Sequence, residues 1–135
     1  MLAPVVALVL WTFVMWGWMY ATRLPAMRRA RMRPDPDAPR GQQMSELPAR
    51  VRWKADNYNH LMEMPTLFYA TALTLALTGP AQATDVALAW AYVALRIAHS
   101  AFQALVNRIE VRFALFVLSS LALFALAARA ALRLV

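Results

Sequence analysis

Residues 2–20 read LAPVVALVLWTFVMWGWMY and carry no charge, and residues 21–33 follow as ATRLPAMRRARMR. At a rise of 1.5 Å per residue the first stretch reaches about 28 Å as a helix, close to the ~30 Å of a bilayer hydrocarbon core. No basic residue precedes it, as a cleaved leader would require, and a dense basic cluster follows: Arg23, Arg28, Arg29, Arg31 and Arg33. The run therefore reads as a retained transmembrane helix over about 2–22, with Trp16, Trp18 and Tyr20 suited to the interfacial belt at its end.

The rest of the chain repeats the theme. Of its 135 residues 61% are hydrophobic and 16% charged, against roughly 45–50% and 25% in soluble domains. A soluble chain of this size could not bury so much apolar surface, so lipid must cover part of it. The prolines at 25, 34, 36, 39 and 48 mark a cytoplasmic loop over about 23–48. Three more helices are expected over about 49–78, 84–106 and 111–134, with Thr84-Asp85 as the start of the third. Pro65 is expected to free the carbonyl of Leu61 and kink the second. The alanines at 87, 91, 94, 98 and 101 read as a packing face. The expectation is one all-α domain over 1–135, an integral membrane four-helix bundle.

Charge sets the orientation. Nine of the 14 Lys and Arg residues lie between Arg23 and Lys54, and Arg108 and Arg112 flank the second polar connection. The positive-inside rule puts both connections in the cytoplasm and both termini on the periplasmic side. A net charge of +7 with these arginines between apolar spans favours lipid headgroups over nucleic acid. With no cysteine there is no disulfide, no protein thiolate and no cysteine-ligated metal site, and no metal is expected. High Arg and Ala content points to a bacterial inner membrane.

Polar groups inside apolar helices carry the functional signal, because each costs a few kcal/mol unless paired or hydrated. On the second helix Arg52, Asp56, Asn59 and Glu63 recur at i, i+4, i+7 and i+11, one stripe, with Lys54, Asn57 and His60 in the next row. On the third, Arg96, His99, Gln103 and Asn107 form another, and Arg112 opens the fourth. Duller readings stand beside these. Arg52 with Asp56 is also a solvated pair, Asn59 with Glu63 interhelical glue, His99 a packed histidine, and Lys54 and Arg108 topology signals. Arg96 is hardest to explain without a buried polar site.

Arg96-Ile97-Ala98-His99 followed by Arg108 and Arg112 resembles the third-to-fourth helix signature of the MAPEG family, the membrane-associated proteins of eicosanoid and glutathione metabolism. The segment from Asp56 to Pro65, with Leu67-Phe68-Tyr69, is similar to the second-helix motif of bacterial members. The resemblance covers essentially the whole chain. It implies a homotrimer with glutathione between neighbouring subunits near the cytoplasmic face, acting as a transferase or peroxidase on hydrophobic electrophiles. Arg23 with Arg52 or Lys54 would hold carboxylates, and Asn57 and Glu63 would take polar groups and the ligand amine. Arg96 and His99 would order the interior, with Arg108 beside the site, and Arg112 would stabilise the thiolate. Two departures stand out: the glutamate lies only two residues before Pro65, and Gln103 replaces a tyrosine of the prostaglandin synthase branch. A non-catalytic lipid-binding protein or an accessory subunit of a membrane complex is the alternative, and a small proton pathway through Glu63, Arg96 and His99 a weaker one.

Overall fold

A computed structural model describes residues 1–134; Val135, the end of the expected domain, lies outside the described residues. Six helical segments follow one another: α1 Leu2–Arg29, α2 Gln42–Ser45, α3 Ala49–Met62, α4 Met64–Leu77, α5 Ala83–Leu105 and α6 Ile109–Leu134. No strand occurs among them.

The first helix runs on to Arg29, past the expected end at 22. Pro25 leaves only the Ala21 carbonyl without its donor. Arg28 and Arg29 then place positive charge at the negative end of the helix dipole. Thr12 and Thr22 return their hydroxyls to carbonyls one turn back, at 2.9 and 3.1 Å, so neither presents a bare donor to lipid. Arg31 then turns the chain with a left-handed backbone (φ 50°). The loop expected to lack helix contains one turn, α2, started by Gly41 at φ 84°.

The segment read as one helix over 49–78 is two. It breaks at Glu63 (φ −92°, ψ −99°), and Pro65 falls in the first turn of α4, where no amide donor is needed. The buried positions Asn57, Leu61, Pro65, Phe68, Ala72 and Leu75 keep helical spacing across the break, so one face stays inward on both sides of it.

The third long helix, α5, begins at Ala83 with Gln82 as its cap. The Asp85 carboxylate accepts the Gln82 amide at 3.0 Å in a capping box, so Asp85 stands one turn inside rather than at the start. Its inward face is Ala89, Tyr92, Val93, Arg96, His99, Ser100 and Gln103. The alanines at 87, 91, 94 and 98 are exposed within this chain, and Ala101 is half-buried. A left-handed Asn107 (φ 57°) turns α5 back into α6, its main packing partner. α1 lies on α3 and α5, and α4 on α6. Phe68 stacks on Tyr92 with ring centroids 4.6 Å apart at the centre.

Among the described residues only α1 and α6 are each long and apolar enough to cross a membrane unaided, and 28% and 17% of their apolar windows are buried within the chain. Such exposure, with Phe13, Phe113, Phe124 and Leu132 all outward, is untenable in water and ordinary in lipid. At the end of the molecule remote from the basic loop, Asp85 is fully buried between Arg129 (Nε–Oδ1 2.5 Å) and Arg133, which also donates to it. Arg129 further donates to Gln82 at 2.5 Å and Thr84 at 2.9 Å, fastening the last turns of α6 to the first of α5.

Candidate functional site

The outer face of α3 carries Arg52, Asp56, Asn59 and Glu63, all exposed, while Lys54 and Asn57 of the neighbouring row turn inward. The outward stripe is flanked by two cavities. On the α1 side lies one of about 540 Å³, whose charged lining is Arg23, Arg40, Arg52 and Asp56. Three guanidiniums face a single carboxylate there, with the hydroxyls of Tyr20, Ser45 and Tyr58 beside them. Arg23 is steered by a contact from Nε to the Met44 sulfur at 3.2 Å. Arg52 and Asp56 line the cavity without forming an ion pair with each other among the described residues.

On the α5–α6 side a second cavity, about 320 Å³, is lined by Asp56, Asn59, His60, Glu63, Gln103 and Arg112. Asp56 and Asn59 belong to both, so the two form one polar trough across α3. Arg112 is aimed by Nη1 donating to Asn107 Oδ1 at 2.5 Å, while its buried Nε has no partner among the described residues. His99 is wedged behind it. Its Nδ1 sits 3.1 Å from the Arg112 carbonyl and must donate, since a carbonyl only accepts. Its Nε2 lies 3.2 Å from the Gln103 side-chain oxygen. A neutral ring needs the Gln103 amide turned over to donate there, and an imidazolium donates to it directly.

Arg96 is 1% exposed and donates through Nη2 to the His60 carbonyl at 2.9 Å. That carbonyl belongs to the last turn of α3, so a guanidinium closes the helix at its negative end beside the break. Nε and Nη1 of Arg96 are buried without partners among the described residues, and the group lies 6.0 Å from the Phe116 ring centroid. A buried cation with two idle donors is suited to an anion or to water brought in from the trough.

The remaining expected site residues are placed otherwise. Lys54 donates to the carbonyls of Arg50 at 2.8 Å and Ala104 at 3.4 Å and lies 5.0 Å over Trp18. Asn57 is fully buried; its amide donates to Ser100 Oγ at 2.7 Å, and Oδ1 has no partner among the described residues. Arg108 is exposed between α5 and α6 and lines neither cavity. Arg23 and Arg52 meet in the larger cavity, Glu63 and Arg112 in the smaller, with Arg96 and His99 behind the smaller. Sequence reasoning passed over Arg40, Tyr58 and Ser100. Arg40 sits in a proline-rich loop where nothing local marks it. Ser100 also accepts from Trp11 Nε1 at 2.9 Å, a bond across 89 residues that only the tertiary structure makes visible.

A family model described as "MAPEG family" matches residues 1–132. No curated protein and no solved structure matches the chain. The chain belongs to the MAPEG family.

Proposed function

From membership of the MAPEG family, which includes glutathione-dependent transferases and peroxidases, we propose that the chain is a glutathione-dependent membrane enzyme acting on hydrophobic electrophiles. The observation that carries this reading is the larger cavity, where Arg23, Arg40 and Arg52 stand against one carboxylate. A tripeptide with two carboxylates and one amine needs two or more fixed cations and an acceptor, and the donor set fits it.

In this reading Arg23 and Arg52 bind the carboxylates, and Arg40 closes over them from the loop. Asp56 and Glu63 accept from the amine. Lys54 and Arg108 raise the positive potential, and Asn57 stiffens the α3–α5 contact behind the trough through Ser100. Glutathione, when bound, supplies a thiol nucleophile. Arg112, its Nε idle, lowers the pKa of a thiol placed beside it by direct charge attraction. His99 and Asn107 fix the backbone and the guanidinium of Arg112, so its position is set before ligand arrives. The outward alanine face of α5 supports a homotrimer in which the two cavities of the trough belong to clefts between neighbouring subunits. The trimer sits in a bacterial inner membrane with both termini periplasmic.

The test is a glutathione titration of protein in nanodiscs, read by the ultraviolet absorbance of the thiolate. A signal saturating at or below millimolar glutathione is expected, and Arg112→Ala should remove it while calorimetry still reports binding. No binding at millimolar glutathione would overturn the enzyme reading, and an unchanged signal in Arg112→Ala would remove Arg112 from its role.

A further inference from the structure

Arg29, near the end of α1, and Glu46, just before α3, line one crevice that glutathione chemistry does not use. The crevice is about 710 Å³, and its walls are apolar: Ala21, Pro25, Ala26 and Val51. Arg29 and Glu46 are both exposed, and no ion pair joins them among the described residues. Opposite charges that share a crevice without closing on each other leave room for a ligand that carries both signs.

The depth is equally specific. The strongly apolar run of α1 ends at Tyr20 and its first charge is Arg23; the crevice spans Ala21 to Ala30, nine helical steps or about 14 Å. A headgroup layer is only about 5–8 Å thick on each side of the hydrocarbon, so the crevice starts at its edge and extends through it. Its apolar wall meets the top of an acyl chain, and the Arg29 side chain, anchored about 14 Å past Tyr20 on the outer side of that layer, has to extend back along the crevice to meet the headgroup beside Glu46.

We propose that this crevice binds an aminophospholipid, with the phosphodiester on Arg29 and the primary ammonium on Glu46. A guanidinium matches the paired oxygens of a phosphodiester. A carboxylate accepts hydrogen bonds from an ammonium, and a quaternary choline has no hydrogen to give it. An anionic headgroup without an amine is drawn by the neighbouring Arg28, Arg31 and Arg33 but repelled by Glu46. The crevice therefore selects for the zwitterion with a free amine, and it does so whether or not glutathione binds elsewhere.

Delipidated protein given equal amounts of phosphatidylethanolamine, phosphatidylcholine and phosphatidylglycerol would be examined by native mass spectrometry. Phosphatidylethanolamine should be retained roughly threefold over phosphatidylcholine, the size of one partly exposed charged contact. Glu46→Gln should bring the two to parity, and Arg29→Gln should lower both together. Both side chains are exposed, so circular dichroism should show unchanged helix in each variant. Retention of phosphatidylglycerol above phosphatidylethanolamine in the unmodified protein would overturn the proposal, because the loop arginines alone would then explain lipid binding. A phosphatidylethanolamine preference that survives Glu46→Gln would overturn it as well.

Discussion

Arg96 poses the sharpest question at the scale of single residues. It caps α3 through one hydrogen bond and keeps two nitrogens idle in the interior. Losing a charged hydrogen bond costs about 1.5–3 kcal/mol. Removing an unpaired charge from a membrane interior returns about 2.5–3.5 kcal/mol. The two nearly cancel, so Arg96→Met should unfold at the same temperature as the parent or higher in detergent. Its stabilisation by added glutathione should nevertheless fall. A melting point lowered by more than about 2 kcal/mol equivalent would make Arg96 a purely structural cap. The position was legible in the sequence because an arginine on the stripe of His99 and Gln103 needs a reason. Its partner was not, because a backbone carbonyl has no sequence signature. Lys54 and Asn57 show the same limit: their residue types suit a ligand, yet in this chain they reach Ala104 and Ser100.

At the scale of elements, the helices expected over about 2–22, 84–106 and 111–134 correspond to α1, α5 and α6, and the one over 49–78 corresponds to α3 and α4 together; each difference has its own cause. Arg28 and Arg29 read as the start of a loop by composition, yet they suit the end of a helix. The interruption at Glu63 stayed hidden because the inward series from Asn57 to Leu75 keeps its spacing through it. Pro65 drew attention as the cause of a kink, but it occupies a first turn that tolerates it. Pro65→Ala should therefore change stability by less than about 1 kcal/mol in thermal unfolding and leave glutathione affinity unaltered. A large loss would mean that the proline ring, and not the contact from Arg96 to His60, holds the break. Asp85 was read as a helix start, but the cap is Gln82, and Asp85 serves from the third position of the capping box.

Across the whole molecule charge is sorted by end. One end carries the trough and the basic loop, and the other holds Asp85 between Arg129 and Arg133. Nothing in the sequence pairs these two arginines with their carboxylate, which lies 44 residues away from Arg129. Asp85→Asn should destabilise the protein by about 2 kcal/mol, below the ~3–5 of a fully buried broken pair. The discount reflects Arg129, whose side chain is 32% exposed while Asp85 is wholly covered. Thermal unfolding would read the loss, and a shift under about 0.5 kcal/mol would show the cluster to be idle. The clamp also bears on how the chain is made. Asp85 leaves the ribosome well before Arg129 and Arg133, so a nascent chain carries an uncompensated carboxylate at the membrane rim until the end of α6 has been made. A chain cut before residue 129 keeps that unpaired carboxylate for good.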